Sequence, residues 1–389
     1  MKNKIINTVF IVCIFIFLLA GLCRTVFMPK DLNTYENRYA KKMISPAVVN
    51  LLDGTFQDTT ESALADQVFF AEGMKKAYND TNARYTQPFL NAISKASGKM
   101  KYVKLGDVNL FGENLVYSPS DFAIIESALE KKANDLNAMF DRHKDIEFYM
   151  YYIEKDTDIN FETNEKIGAY EYLYENINLP DNKKARFKTD SFKDFKENFY
   201  VTDHHWNATG SYKGYCEVFD LLECTGKKIE PIDSSALPGA FKGSKTQGEK
   251  TAAYSEEFVV NRFDFPEIQI KINGADAEDY GQQQNYKVGK EENPSYALYY
   301  GDDMGEIIFD TGDSSKENIL LIGESYDNAI LKLIASHFNK TYSIDLRFYT
   351  AYMGKEFHLA EYLRKNNIKK VLLIGNIDYY VSDEFTPED

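Results

Sequence analysis

The last quarter of this chain constrains its fold most, because apolar runs of strand length alternate there with segments of helix length. Asn318 to Ile322 reads as a strand, Tyr326 to Phe338 as a helix and Tyr342 to Phe348 as a second strand. A helix from Glu356 to Asn366 then leads to the strand Lys370 to Ile374. This alternation predicts an α/β fold, a parallel sheet with helices on both faces. The same order starts earlier. A helix from Pro119 to His143 carries Phe122, Ile125, Leu129, Leu136 and Phe140 at helical spacing, and the apolar strand Ile146 to Ile153 follows it. Asn164 to Asn178 and Thr209 to Leu222 read as further helices, and Lys101 to Tyr117 as short strands with glycine turns. Thr59 to Ala96 reads as mainly helical, with Val68, Phe69, Phe70 and Met74 in an amphipathic helix start.

Residues from about 227 to 316 differ. They are rich in Gly, Gln, Glu, Asp and Tyr with short alternating runs, which predicts an inserted β-rich lobe or long loops. The N-terminus differs again. Lys2 and Lys4 precede an apolar stretch from Ile5 to Cys23, close to the roughly 20 residues that span a bilayer as a helix. No small-residue cleavage site ends it, so residues 1–28 are expected to be a retained signal anchor rather than a cleaved leader. The lysines then place residues 29–389 outside the cytoplasm as an extracytoplasmic domain.

The chain has 389 residues and is 44% hydrophobic, enough for one large α/β domain. A formal net charge of -15 argues against nucleic-acid binding, which needs a basic face. Cys216 and Cys224 lie on one predicted helix, about 12 Å apart at 1.5 Å per residue, too far for a disulfide. No C-x-x-C or H-E-x-x-H pattern occurs, so neither a metal nor another cofactor is expected.

Two local patterns carry chemistry. In the first, the apolar strand ends in Gly323-Glu324-Ser325 and a helix is predicted next. A serine there sits at the carboxyl edge of a parallel sheet, where ligands bind, beside backbone N–H groups that can support an oxyanion. The same position also suits a simple helix N-cap. The second pattern is Asp203-His204-His205-Trp206. Histidine can take the proton of a serine hydroxyl, and a carboxylate fixes its tautomer. In an extended segment Asp203 and His205 project from one side and His204 from the other. A structural or metal-binding histidine pair is the alternative. Asn328, three residues after Ser325, is a possible oxyanion donor. Asn376 lies at a carboxyl edge. Arg347 ends a predicted strand, where it suits an anionic or sugar group or a salt bridge.

At these motifs the chain resembles the DHHW protein family, which is similar to the alginate O-acetyltransferases within the SGNH-hydrolase-like superfamily. The matching pieces are YVTDHHWNATGSY (Tyr200 to Tyr212), GESYDNA (Gly323 to Ala329) and SIDLRFY (Ser343 to Tyr349). ADQVFF and DVNLFG match more weakly. The resemblance implies an SGNH-hydrolase-like sheet with Ser325 as nucleophile, His205 as base and Asp203 as orienting acid. His204, Trp206, Glu324, Asn328 and Arg347 are then supporting, oxyanion or substrate candidates. Glu324 stands where the family pattern has Asp, and the usual oxyanion blocks are not evident.

The implied activity is O-acyl transfer, of acetyl above all, to or from an exported polysaccharide. The implied partners are that polysaccharide and a multi-pass membrane acyltransferase. Two other readings stay open at this point: a glycan-binding scaffold without turnover, and a metal-dependent esterase using His204 and His205.

Overall fold

The computed structural model describes residues 100–385 apart from 249 and 290–292, with residue 387. Ahead of residue 100 it describes 2–27, 32–33, 38–41, 55–67, 73–79 and a few positions from 81 to 92. Among these an eight-stranded sheet dominates. Its strands in chain order are β1 (Glu147–Ile153), β2 (Lys184–Phe187), β3 (Gln269–Ile272), β4 (Ala275–Ala277), β5 (Glu306–Asp310), β6 (Ile319–Ile322), β7 (Lys340–Ile344) and β8 (Lys370–Gly375). In space the order is β4-β3-β5-β7-β6-β8-β1-β2. β7, β6, β8, β1 and β2 run parallel, while β5, β3 and β4 add on antiparallel.

The sheet is therefore mixed, not purely parallel as expected. Residues 311–318 are the whole link from β5 to β6. A parallel crossover takes a dozen or more residues, so so short a link suits strands of opposite direction. The segment 227–316 accordingly supplies three strands of the main sheet, and only its pair Asp233–Ala236 and Val259–Arg262 forms a separate ribbon.

The parallel strands are apolar on both faces because both are covered. Tyr149, Tyr151, Ile319, Leu321, Leu372 and Ile374 enter one core cluster, with Tyr215 and Val218 of the helix Ala208–Leu221. Their neighbours Phe148, Met150, Leu320, Ile322, Val371 and Leu373 enter the other, with Leu129 and Leu136 of the helix Phe122–Arg142. The period-two alternation of strand side chains makes this division.

Several predicted boundaries move. The strand expected over Tyr342 to Phe348 stops at Ile344, because Asp345 caps a helix, Leu346–Met353, by accepting from the Arg347 amide. The helix expected over Tyr326 to Phe338 is a 3₁₀ turn, Asp327–Ala329, and a five-residue helix, Leu331–Ala335. The helix expected over Asn164 to Asn178 covers only Ala169–Asn176, and the one expected from Glu356 begins at Leu359. Lys101 to Tyr117 forms the expected short strands, Val103–Leu105, Val108–Phe111 and Asn114–Val116. A helix spans Thr55–Gln67, while Val68, Phe69 and Phe70 lie outside the described residues. Cys216 and Cys224 are free.

The N-terminal stretch is helical over Lys2–Phe27, with Phe10, Phe15, Ile16 and Leu19 exposed. The side chains of residues 2–7, 18, 21–22 and 24–26 are outside the described set. Among the described residues no helix is long and apolar enough to cross a membrane.

Gly214 shows how closely the helix Ala208–Leu221 seats on the site. A Cβ there would lie 2.5 Å from one Trp206 ring atom and 2.8 Å from another. Alanine is the better helix former by about 1 kcal/mol, but overpacking a filled core costs about 1–3 kcal/mol. Gly214→Ala is therefore expected to lower stability in urea denaturation. An increase would show that the Trp206 pocket yields freely.

Candidate active site

Two chain segments meet at the carboxyl edge of the parallel strands. The first is a loop, residues 201–205, made of bends rather than extended strand. It is closed at its base by a bridge between Phe199 and Trp206 and by the Tyr200 amide donating to the His205 carbonyl at 3.2 Å. Asn207 then caps the following helix, its side chain accepting from the Thr209 and Gly210 amides. Glu256, from the insertion, holds the loop from the other side. Its carboxylate accepts from the amides of Val201 (2.9 Å) and Thr202 (2.6 Å) and from the Thr202 hydroxyl (2.7 Å). Trp206 is fully buried, and its indole N–H finds no partner among the described residues.

The second segment leaves β6 through Gly323 and Glu324 to Ser325. The structure brings Ser325, His205 and Asp203 together. His205 Nε2 lies 2.8 Å from Ser325 Oγ, and His205 Nδ1 lies 2.6 Å from Asp203 Oδ1. Asp203 Oδ1 also accepts from the His205 amide at 3.0 Å, and Oδ2 from the Ser244 amide at 2.7 Å. Burial works against the Asp203 charge, but His205 and His204 beside it hold its carboxyl well below the usual carboxylate range. Gly243 is needed for this fit, since a Cβ at that position would overlap Asp203. With Nδ1 committed to the carboxylate, the free lone pair of His205 faces the serine hydroxyl, the arrangement of a general base and its nucleophile.

His204 does not turn away, as an extended segment would require. Its ring lies 3.8 Å from that of His205, centroid to centroid, and its Nδ1 lies 2.6 Å from Ser244 Oγ. Burial and the neighbouring His205 push it well below the ordinary histidine range. Asp203, His204 and His205 offer ligand-type atoms within 4.8 Å of one another. Both ring nitrogens of His205 are already bonded, however, so a cation there would displace Asp203 or Ser325.

The other candidates fall elsewhere. Glu324 is buried and reaches the neighbouring strand end, where Asn376 donates to it from its amide (3.2 Å) and side chain (2.5 Å). Burial raises its carboxyl above the ordinary range. The extra methylene relative to Asp thus serves a bond between the β6 and β8 loops. Asn328 is turned inward: it donates to the Gly301 carbonyl (3.3 Å) and accepts from the Tyr280 hydroxyl (3.1 Å), which commits its amide away from an oxyanion. Arg347 sits in a helix, not at a strand end. It forks onto Asp345 (2.6 and 3.0 Å) and reaches Asp303 at 3.3 Å. Ser325 precedes a 3₁₀ turn, so the regular helix N-terminus expected behind it is absent.

Sequence reasoning missed four contributors, Ser244, Gly243, Glu256 and Tyr296. All come from the insertion, where no periodic pattern marks them. Tyr296 stacks on His205, with ring centroids 3.9 Å apart.

Known structures share this arrangement of elements. PatB1 of Bacillus cereus, solved with a sulfonyl adduct, superposes with a TM-score of 0.57 at 20% identity, over 75% of this chain and 100% of that one. A DHHW family protein from Eubacterium siraeum gives a TM-score of 0.51 at 13% identity, over 73% of this chain and 95% of that one. The chain shares their fold. No family model and no curated protein matches it. At such identities the likeness is one of fold, so chemistry must be argued from the site.

One buried acid provides a pH test of the site's packing. Asp327 lies against Gly323, with its Oδ2 unpartnered among the described residues. Burial, then Asp345, Glu324 and Asp303 nearby, raise its carboxyl well above the ordinary range. A raised folded-state value stabilises below the unfolded carboxylate range and is lost as pH rises. Asp327→Asn is therefore expected to gain stability over wild type near about pH 8 and to lose that gain near about pH 3. Denaturation at both pH values checks it, and an equal difference at both would contradict the assignment.

Proposed function

We propose that this chain is an extracytoplasmic O-acyltransferase that passes an acetyl-sized group to a polysaccharide hydroxyl through an acyl-Ser325 intermediate. The observation that carries the reading is the unbroken chain Asp203–His205–Ser325 at 2.6 and 2.8 Å. Its place at the carboxyl edge of the sheet and the motif resemblance to alginate-type O-acetyltransferases support it.

Ser325 Oγ attacks the acyl carbonyl while His205 Nε2 takes its proton. The tetrahedral adduct collapses, the leaving group takes that proton, and acyl-Ser325 remains. A sugar hydroxyl then gives its proton to His205 and attacks the acyl carbon, and as the bond to Ser325 Oγ breaks His205 returns that proton to the serine oxygen. Water in place of the sugar would make the same site an esterase.

A cavity of about 590 Å³ is lined in part by Tyr117, Ser244, Lys245 and Thr251, and because Ser244 also touches His204 it is the proposed place of the acceptor. The apolar stretch behind Lys2 and Lys4, many of whose side chains lie outside the described residues, is the proposed membrane anchor, with the catalytic domain outside. A multi-pass acyltransferase is the proposed supplier of the acyl group.

The full-length chain in detergent, treated with a fluorophosphonate or a sulfonyl fluoride, should be labelled at Ser325. Labelling should vanish in Ser325→Ala and His205→Ala and fall by roughly 10³-fold or more in Asp203→Asn. A folded wild-type protein that resists both probes and turns over no acetyl ester would instead support the glycan-binding scaffold.

A further inference from the structure

Tyr296 belongs to the short helix Tyr296–Tyr300, capped by Ser295. Its ring lies over the His205 imidazole with centroids 3.9 Å apart and planes only 8° apart. Its hydroxyl donates to the Ser325 carbonyl at 3.4 Å. One side chain thus touches both the base and the main chain of the nucleophile. Tyr200, edge-on at 6.4 Å, and Tyr300, at 4.7 Å, hold the ring in place. Tyr296 is 8% exposed, so water does not weaken the stack.

We infer that Tyr296 is a positioning residue for the base: its face keeps the His205 ring aligned between Asp203 and Ser325 and stabilises the imidazolium formed when Ser325 gives up its proton. This rests on the acyl-transfer reading above. An aromatic face attracts a cation far more than a neutral ring. The stack therefore favours the state after proton transfer over the resting one, and only such a difference accelerates a reaction.

The other groups facing His205 are Asp203 at Nδ1, Ser325 at Nε2, the His204 ring, the Tyr326 ring at 4.9 Å and the Asp303 carboxylate. Lys155 and Lys245 act on the neighbouring His204. All of them stay in place in the variants below.

The test is the rate of fluorophosphonate labelling of Ser325 against pH, in the full-length chain. In this reaction the Ser325 oxygen bonds to phosphorus, the P–F bond breaks, fluoride leaves and the serine proton passes to His205. Tyr296→Phe keeps the ring and should label within about twofold of wild type. Tyr296→Leu, and replacement of Tyr296 by pentafluorophenylalanine, should label roughly 5- to 30-fold more slowly, with the acidic limb moved to lower pH by up to about one unit. The fluorinated ring keeps the shape and reverses the charge of the face, so a packing role alone would leave its profile unchanged.

Wild-type rates and an unmoved limb in the leucine and pentafluorophenyl variants would overturn the inference. So would a Tyr296→Phe as slow as Tyr296→Leu, which would place the effect in the hydroxyl. Wild-type protein that does not label at all would remove the acyl-transfer reading itself, a result distinct from either.

Discussion

The hydrogen bond between His205 Nε2 and Ser325 Oγ, 2.8 Å long, joins positions 120 residues apart, and the candidate site exists only because the fold can hold it. Each end is fixed by different means. Ser325 follows β6, whose Ile319, Leu320, Leu321 and Ile322 are all fully buried, so its position is set by the core. His205 hangs from a loop without regular structure, so polar bonds must supplement the ring packing of Tyr296 and Tyr326. Glu256 grips the loop at Val201 and Thr202, the Ser244 amide grips Asp203, and Trp206 plugs the end into the core. A loop held at this many points leaves the His205 ring little freedom to lose, the preorganisation that the proposed catalysis requires.

The surroundings are unusually acidic for a buried place. Glu324, Asp327, Asp303 and Asp345 line one cavity of about 10 Å³, room for a single water, with Arg347 forking onto Asp345 and reaching Asp303. Burial raises the carboxyl range of all four. Neighbouring acids that cannot all ionise share protons instead. This acidic layer sits under the Ser325 loop, and Arg347, read from the sequence as suiting a substrate group or a salt bridge, makes the salt bridge that balances it.

The parallel half of the fold was legible because strands buried on both faces read as unbroken apolar runs, as Ile319 to Ile322 and Val371 to Ile374 do. The meeting of Ser325, His205 and Asp203 was legible because two short patterns placed a serine after a strand and a histidine two residues from an aspartate. The antiparallel half was legible as β-rich, but its place in the main sheet was hidden. β3, β4 and β5 have only three to five residues each, and their pairing is set by long-range register rather than by local pattern. Arg347 was misplaced because SIDLRFY alternates as a strand would, although Asp345 already offered an N-cap signal. Tyr296, Ser244 and Glu256 gave no signal, since each matters only for what it touches far along the chain, as Tyr296 and Ser325 do at a separation of 29 and Ser244 and Asp203 at 41.

An acyl-Ser325 intermediate is tested most directly by mass spectrometry of the full-length protein quenched with acid during turnover of an activated acetyl ester. One added acetyl group is expected on the peptide that contains Ser325, which disappears when a polysaccharide acceptor is supplied and never forms in His205→Ala. Turnover with no acetyl on that peptide, or acetyl on a different residue, would contradict it.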